Sequence, residues 1–436
     1  MAEQFLAYSQ ITTHRQCPQR WHYAYQRRLE KADPMDAKVE LEFGNWWHAL
    51  RAADSIERGL QHGSLRWVPD QLTTVDGGPV IHVRDKAPDD ISTLEALRDL
   101  SQRGYLDLVG YVLNEADTWW KSRTAFDLEA WESRIGDHLP DRLRYMDARW
   151  RERWAEDLEH EHPLAVELHW QRALPTVTDP VSGEKFDAET QMVGYIDEVY
   201  YDARRHLVVV RDHKTHRSLD THTSADDMMD SQLQLYAWGA SEVVSSWGLG
   251  PIRAVAYDRV KSEAPVTPVV TASGTLSKSV TRYDLTTYLA FAAGPDGQGV
   301  PWGEEGEVYK SGKRKGEPKY GRYTAEQTVI EKLSDPAALS AWHQRTLTPL
   351  NRNVVMAHLR AAVNTADDVR STRTRAQEHR EAPRNLSKAC QWCPFAELCR
   401  AEMIGGPDGD YDLEAMYLRE KPRSSRRAPV AVSDPA

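Results

Sequence analysis

The chain has 436 residues, 40% of them hydrophobic, so it can bury a substantial core in one elaborated domain or in two or three smaller ones. Its formal charge of −11 excludes a generally basic surface and requires any contact with nucleic acid to use a local positive groove. The opening MAEQFLAYSQ lacks the basic-then-apolar pattern of a signal peptide, and no uncharged apolar run reaches the roughly 18 residues of a membrane span. The sequence therefore predicts a cytoplasmic protein that makes no membrane contact.

Helical patterns occupy the first part of the chain. One runs over 8–29 around the step from Cys17 to Pro18, and a second begins at Gly44 and carries His48 near its start. Between about 90 and 160, apolar residues recur at intervals of three and four, which is typical of amphipathic helices. We therefore expect a helical insertion over 50–160, which separates His48 from the strands that follow.

Strand patterns follow the insertion. Runs of β-branched and aromatic residues cover 165–170, 192–202 and 206–215, and a helical pattern returns over 230–240. This order predicts a strand, a hairpin and then a helix. Residues 310–322 are basic and rich in helix-breaking residues, which predicts a mobile loop that either contacts phosphates or is simply solvated.

The predicted hairpin gives the clearest geometric argument. Its short turn is centred between Arg204 and Arg205, and the resulting register places Asp197 opposite Asp212. The two-residue period of a strand puts Lys214 on the same face as Asp212. Two aspartates side by side repel each other unless a proton or a cation lies between them, and their hard oxygens suit Mg²⁺ or Mn²⁺. The hairpin therefore predicts a divalent-metal site with a lysine beside it.

Neighbouring residues bear on this interpretation. The same register sets Glu198 opposite Arg211 on the other face, a favourable charge pair that we interpret as structural. A D-x-K tripeptide alone carries no information, and the alternative is that both aspartates are solvated polar positions of an antiparallel sheet. The surroundings favour the metal site, because Glu167 lies one strand earlier and Gln232 and Tyr236 lie four apart on one face of the following helix.

The ordered set of His48, G-Y-I-D at 194–197, D-H-K at 212–214 and Q-L-Q-L-Y at 232–236 resembles the RecB-type branch of the PD-(D/E)XK nucleases. That branch includes CRISPR-associated and phage exonucleases and AddB-type repair nucleases. The resemblance spans residues 8–400. It implies an α/β fold of the restriction-endonuclease-like kind, with a central mixed sheet flanked by helices.

The resemblance also implies roles for individual residues. The metal ligands would be His48, Asp197, Asp212 and the backbone carbonyl of His213. Lys214 would orient or deprotonate the attacking water, Gln232 and Tyr236 would steady the lysine and touch DNA, and Glu167 would be the acidic residue of the first core strand. The chain has D-H-K where D-Y-K is commoner, and little loss is expected because the middle residue contributes its carbonyl.

The activity implied is that of a metal-dependent DNA exonuclease, acting on single-stranded DNA or DNA ends in recombination, repair or phage- or CRISPR-related DNA processing. The chain has no G-x-x-x-x-G-K-[ST] motif, so unwinding would come from a helicase or recombination partner protein. The alternative is a non-catalytic DNA-binding or assembly protein that keeps a nuclease fold. We expect one nuclease domain over 1–418 and a disordered tail over 419–436.

Four cysteines form the second distinctive pattern. Cys390, Cys393 and Cys399 have the spacing C-x2-C-x5-C, and Cys17 is the only other cysteine of the chain. Four thiolates can hold zinc or a [4Fe-4S] cluster, and the spacing does not choose between them. The resemblance implies a structural [4Fe-4S] cluster that joins residue 17 to residues 390–399, whose ligation would contribute to folding free energy. A zinc-stapled protein with incidental hairpin carboxylates is the alternative.

Overall fold

A computed structural model describes residues 4–31, 39–69, 71–73, 80–82, 93–104, 106–124, 139–178, 183, 185–186, 190–219, 224–268, 282–294, 297–310, 313, 315–379, 382–404 and 417–419. Nearly all of the expected tail over 419–436, and parts of the expected insertion over 50–160, lie outside these residues. Among the described helices, none is both long and apolar enough to cross a membrane.

Strands and helices alternate along the described parts of the chain. The strands are β1 (Gln4–Ala7), β2 (Leu29–Lys31), β3 (Gln71–Thr73), β4 (Val80–His82), β5 (Glu161–Ala173), β6 (Val177–Thr178), β7 (Lys185–Phe186), β8 (Thr190–Asp202), β9 (Leu207–His216), β10 (Ile252–Lys261), β11 (Val300–Trp302), β12 (Gly321–Tyr323), β13 (His343–Pro349) and β14 (Tyr417–Arg419). The α-helices are α1 (Tyr8–Gln16), α2 (Pro18–Trp21), α3 (Val39–Gln61), α4 (Thr93–Gln102), α5 (Leu108–Thr124), α6 (Leu139–His160), α7 (Ser224–Met229), α8 (Ser231–Ser246), α9 (Leu285–Ala293), α10 (Gln327–Leu333), α11 (Pro336–Ser340), α12 (Arg352–His379) and α13 (Ala396–Ile404). A π-helical turn (His22–Gln26) and a 3-10 helix (Lys388–Trp392) complete the set.

Six strands form a mixed central sheet, which is the kind of sheet that the family resemblance implied. Strand β8 pairs antiparallel with β5, parallel with β1 and antiparallel with β9, and the sheet continues through β10, parallel to β9, to the antiparallel β13. The central strands are β-branched and apolar on the faces that helices cover, which is the pattern of a strand buried on both sides. The fold is therefore α/β, with the sheet at its centre.

Helices cover both faces of this sheet. Helices α8 and α12 pack on one face, in a core that includes Val199, Val210, Leu233, Ala237 and Val363. Helices α3, α5 and α6 pack with the other face, in a core rich in tryptophan that includes Trp46, Trp47, Trp119, Trp150 and Val166. The sheet thus presents different side chains to two helical layers, and residues of both layers can reach its ends.

The helix that carries His48 begins earlier than the sequence predicted. Helix α3 starts at Val39, so Gly44 lies inside it and His48 lies near its middle. A Cβ atom at Gly44 would lie 2.8 Å from Oγ1 of Thr215, which means that the glycine allows α3 to approach β9 closely. A glycine that suggested a helix start is therefore a contact point between helix and sheet.

Candidate active site

The hairpin has the predicted register. Strands β8 and β9 pair Glu198 with Arg211, Val199 with Val210 and Tyr201 with Val208. The ladder ends at the pair of Glu198 and Arg211, one position before Asp197 and Asp212. The two aspartates are therefore the first residues beyond the paired part of the hairpin.

A fork in the sheet explains why the ladder ends there. Strand β5 pairs along one edge of β8 from residue 191 to residue 202, so β1 and β9 share the other edge. Strand β1 takes residues 190–193 of β8 and β9 takes residues 198–202. The segment 194–197, which reads G-Y-I-D, therefore has no β-ladder partner on that edge among the described residues, and Asp197 lies where β9 leaves β8.

Asp197 connects three elements at this fork. Its Oδ2 atom accepts a hydrogen bond from the backbone N–H of His213 on β9, with a length of 2.8 Å. The same oxygen lies 3.2 Å from Nδ1 of His48 on α3. The carboxylate thus holds the helical layer and the two diverging strands together.

Asp212 contacts Lys214 on its own strand and Gln232 in the helical layer opposite to α3. Its Oδ2 atom lies 2.7 Å from Nζ of Lys214, and its Oδ1 atom accepts a hydrogen bond of 3.1 Å from Nε2 of Gln232 on α8. The N-cap residue Asp230 orients the start of α8, because its side chain accepts from the backbone N–H of Gln232 at 2.8 Å. Both oxygens of Asp212 therefore face donors.

Tyr236 lies one helical turn beyond Gln232. Its ring packs edge-on against Trp170, with centroids 5.6 Å apart, and against Tyr8, at 6.3 Å. Burial, and then the negative charges of Asp212 and Asp197, raise the pKa of the Tyr236 hydroxyl well above its usual value. The phenol is therefore neutral and can donate a hydrogen bond.

The His213 side chain is buried beside the rings of His48 and Trp150. It is 3% exposed, packs against the ring of Trp150 and has Nδ1 3.8 Å from Oδ2 of Asp258. Burial lowers the pKa of His213 to about 4, so the imidazole is neutral at physiological pH. The backbone N–H of His213 contacts Asp197, and the expected role of its carbonyl stays a prediction.

Glu167 occupies a distorted position of β5. Its neighbours Val166 and Leu168 pair with β8 on either side of the level of Asp197, and Glu167 has a φ of 50°, in the left-handed region that non-glycine residues rarely adopt. In a regular strand, Val166 and Leu168 would share a face. Here Val166 packs with α3 and Leu168 packs with α8. The strand therefore changes faces at Glu167, beside the fork.

The electrostatics of the site favour added positive charge. Burial, and then the adjacent charge of Asp197, raise the pKa of Asp212 to about 6 against the opposing effect of Lys214. Burial opposes the charged form of His48, but Asp197 and Asp212 outweigh it and raise the pKa of His48 to about 9. Burial likewise opposes ionisation of Asp197, yet His48 holds the pKa of Asp197 well below its usual value. Asp197 is thus ionised, whereas Asp212 and above all His48 hold protons that a cation could replace.

The donor set fits a hard divalent cation in chemistry, with two carboxylates, one imidazole and a nearby carbonyl. Across the described residues, however, no three His, Cys, Asp or Glu side chains form a group that could hold a metal ion as they stand. Lys214 and Gln232 face the oxygens of Asp212, and His48 and the His213 amide face Oδ2 of Asp197. Metal binding at this site therefore requires the donors on Oδ2 of Asp197 and Oδ2 of Asp212 to move, whereas Gln232 can stay on Oδ1 of Asp212.

The four cysteines lie in two segments that pack together. The backbone N–H of Gln19 donates to the carbonyl of Pro383 at 2.9 Å, and Asn385 Nδ2 donates to the carbonyl of Gln16 at 3.0 Å. Glu402 receives side-chain donors from both segments, namely Gln19, Tyr23, Arg27 and Arg384. The N- and C-terminal parts of the described chain are therefore joined around these residues.

The cysteine side chains are partly exposed and form no disulfide. Burial raises the pKa of the Cys393 thiol. Cys393 and Cys399 also pack against the buried Tyr23 and Phe395. The structure brings the predicted cysteine segments together, whereas the identity of any metal there stays a prediction.

Sequence reasoning predicted the charge pair of Glu198 and Arg211 but missed the buried network of charges around it on the α3 side of the sheet. Arg211 lies 2.6 Å from Glu161 and 2.8 Å from Glu198, and Glu161 also pairs with Arg345 at 3.0 Å. Helix α3 extends the network through Arg58, 3.3 Å from Glu198. The available signal was the helical spacing of charged residues along α3 after His48, at positions 51, 54 and 58.

Two carboxylates and a lysine at the fork of a mixed α/β sheet make up the kind of site that metal-dependent phosphodiester hydrolases use. A model of the PD-(D/E)XK nuclease superfamily matches residues 6–400. A search of curated proteins gave no match. Because the family match covers most of the chain, including the fork, the chain belongs to the PD-(D/E)XK nuclease superfamily, whose members are typically metal-dependent nucleases.

Proposed function

We propose that the chain is a metal-dependent DNA exonuclease of the RecB-like branch, which hydrolyses phosphodiester bonds in single-stranded DNA or at DNA ends. The observation that carries the proposal is the convergence of Asp197, Asp212 and Lys214 at the fork, in a chain that belongs to a nuclease superfamily. His48 from one helical layer and Gln232 from the other support the same site.

The proposed metal ligands are His48, Asp197, Asp212 and the carbonyl of His213, holding Mg²⁺ or Mn²⁺. When bound, such a cation lowers the pKa of a coordinated water and stabilises negative charge on the leaving oxygen. The backbone of His213 already lies against Asp197 through its amide. This contact restricts how far the two carboxylates can separate.

Lys214 acts in this scheme as a positively charged group that orients the water and the phosphate. Burial opposes its charge, but Asp212 and Asp197 outweigh burial and raise the pKa of Lys214. A lysine that keeps its proton donates hydrogen bonds and does not serve as a base. Gln232 orients Asp212, and the neutral hydroxyl of Tyr236 is available to donate to DNA.

Glu167 is proposed to assist from β5. Its left-handed backbone conformation costs free energy, of the order of 1–3 kcal/mol, and such strain persists where the surroundings impose it. Because β5 changes faces at Glu167, its side chains pack against helices of both layers beside the fork. The Glu167 carboxylate would then orient the groups that bind the metal.

The preference for DNA ends and the biological setting rest on the resemblance to RecB-like exonucleases. Recombination, repair and phage- or CRISPR-related DNA processing all fit this activity. Since the chain has no nucleotide-binding P-loop motif, duplex unwinding would require a helicase or recombination partner.

A [4Fe-4S] cluster on Cys17, Cys390, Cys393 and Cys399 is the second part of the proposal. Its support is that these are the only cysteines of the chain and that the segments carrying them are joined by hydrogen bonds. Four thiolates are the donor chemistry of a structural group that would tie residue 17 to the C-terminal segment, and binding it would require the described cysteines to move closer, because they form no metal-holding group as they stand. Such ligation adds to folding free energy because the unfolded chain lacks the site.

A non-catalytic DNA-binding or assembly protein is the second candidate. The observation that favours it is that donors of the protein already face Asp197 and Asp212, without a three-ligand metal group among the described residues. This candidate predicts DNA binding without cleavage.

Digestion of end-labelled DNA separates the two candidates. Single- and double-stranded substrates are incubated with Mg²⁺ or Mn²⁺ and with wild type, Lys214→Ala or Asp212→Ala, and the exposed Lys332→Ala is the control. We expect wild type and the control to release labelled nucleotides, and the two site variants to be slower by roughly 10²–10⁴-fold. Equal digestion by all four proteins would reject the assignment, and resistance of circular single-stranded DNA would identify an exonuclease.

A further inference from the structure

A large segment is inserted between β10 and β13. It leaves the sheet after Lys261, whose partner in β9 is His216, two residues beyond Lys214. It returns at His343. Because strands β9 and β10 are parallel, the insertion starts at the same end of the sheet as the catalytic lysine. It contains α9, β11, β12, α10 and α11.

The base of this insertion is well anchored. Tyr283, Tyr288, Tyr323, Val329 and Leu333 form a small buried core of their own. Tyr145 of α6 holds this core to the helical layer, because its hydroxyl donates to Asp284 at 2.6 Å and lies 2.8 Å from Oγ1 of Thr287. The insertion therefore has a defined position relative to the rest of the described fold.

A β-hairpin extends from this core. Strands β11 and β12 pair Val300 with Tyr323 and Trp302 with Gly321. Backbone pairing continues beyond them, since the N–H of Lys319 donates to the carbonyl of Glu307 at 2.7 Å and the N–H of Tyr309 donates to that of Glu317 at 3.0 Å. The segment 310–322, expected to be a loop, thus contains one arm of a hairpin. Of the described hydrogen bonds between the two arms, those of Tyr309 with Gly316 and Glu317 lie farthest along the hairpin.

Positive charge is concentrated at the hairpin tip. Lys310, Lys313 and Lys315 are exposed, and no acidic group pairs with them among the residues whose structure is described. On the stem, by contrast, Glu307 pairs with Lys319 at 3.3 Å. The sequence adds an arginine at position 314. The whole chain has a formal charge of −11, so the positive charge of this tip is a local exception.

We propose that Lys310, Lys313 and Lys315 of this hairpin bind phosphates of the DNA substrate outside the active site. The identity of the ligand rests on the proposed function. Lysines are strongly hydrated point charges on flexible stems, which suits sequence-independent contact with a phosphate backbone. The hairpin extends from the buried core of the insertion, which starts at the same end of the sheet as Lys214. Its basic tip can therefore hold the part of the DNA strand that lies beyond the scissile bond.

Salt-dependent DNA binding tests this proposal. Fluorescence anisotropy of labelled DNA is measured with the full chain in EDTA, which prevents cleavage, at several salt concentrations. K313Q/K315Q is compared with wild type and with the control K185Q/K332Q, which removes two exposed lysines elsewhere. We expect the hairpin variant to bind about 10-fold more weakly at low salt, and the slope of log K against log salt to fall by about 1.4–1.8, or about 0.7–0.9 per lost contact.

Affinities and slopes that match wild type would overturn the proposal, as would equal losses in the control variant. Cleavage of a long and a very short oligonucleotide distinguishes this proposal from the proposed function. The hairpin variant should lose efficiency only on the long substrate, which extends beyond the active site. An equal loss on both substrates contradicts a remote phosphate contact. If wild type cleaves neither, the nuclease assignment fails while the binding measurement still decides the role of the hairpin.

Discussion

Oδ2 of Asp197 accepts a hydrogen bond of 2.8 Å from the backbone N–H of His213. The contact crosses the point at which the ladder between β8 and β9 ends, and it replaces the backbone pairing that regular strands would have there. An acidic side chain thus closes the fork and keeps the strand with Asp212 and Lys214 beside the strand with Asp197. The spacing of the two carboxylates is therefore a property of the protein fold.

Metal affinity should rise with pH. The pKa of Asp212 is raised to about 6 and that of His48 to about 9, so both groups carry protons at low pH and a cation must displace them. We expect Mn²⁺ to bind weakly below about pH 6, and more tightly as each group loses its proton on the alkaline side of its pKa. Isothermal titration calorimetry in buffers of different ionisation enthalpy measures both the affinity and the protons released.

Asp212→Asn is the control for this pH dependence. The variant removes the titration near pH 6, weakens Mn²⁺ binding because a ligand is lost, and lowers the pKa of His48 because the negative charge of Asp212 is gone. An affinity for Mn²⁺ that is constant from acidic to alkaline pH in wild type would contradict the proposed ligands.

Gln232 should affect metal binding through Asp212. Gln232→Ala removes the donor to Oδ1, so the carboxylate gains freedom to rotate away from the ligand position. Groups that orient a metal ligand in this way typically account for about 10–100-fold in metal affinity or activity, and we expect a loss in that range. Calorimetry with Mn²⁺ and cleavage rates measure it. Glu242→Ala on the same helix, which removes an exposed pair with Arg172, should leave both values within two-fold of wild type or the role of Gln232 is not specific.

The buried arginine of the hairpin should be important for stability. Arg211→Met removes the cation that Glu161 and Glu198 share in a nearly fully buried site, where Arg345 and Arg58 remain as partners. Removal of one partner from a buried ion pair costs about 3–5 kcal/mol, and we expect the lower end of that range because these two arginines remain. Urea unfolding measures the change in the free energy of unfolding. Arg204→Met is the matched control, because Arg204 pairs with partly exposed acids and should contribute about 0–1 kcal/mol. Similar losses in the two variants would show that burial of the pair is unimportant.

Substitution of Cys17 tests whether the chain holds an iron–sulfur cluster. Protein purified without oxygen is expected to be brown and to contain iron and sulfide, and Cys17→Ser should lose both and unfold at lower urea concentration. Ser387→Ala is the control in the partner segment, since it removes only a helix cap, worth about 1 kcal/mol, and leaves all four thiols in place. If the wild-type protein is colourless and contains zinc, the cluster is rejected and the zinc alternative is accepted.

The hairpin register could be predicted because it depends on local rules. A two-residue strand period and a short turn determine that Glu198 faces Arg211, and they place Lys214 on the face of Asp212. The helix face shared by Gln232 and Tyr236 follows from its period in the same way. The predicted start of α3 was wrong because glycine is a common boundary residue of helices. Gly44 instead allows a close tertiary contact with Thr215, which no local pattern encodes.

The sequence by itself determined the strand and helix periods, the partners across the hairpin and the positions of the four cysteines. Only the tertiary structure decided that β9 leaves β8 at Asp197, that β5 changes faces at Glu167, and that helices on opposite sides of the sheet supply His48 and Gln232. The physical reason is the range of the interactions. Periodicity sets the direction of a side chain within its own element, but contacts between distant elements depend on how whole helices pack against a twisted sheet.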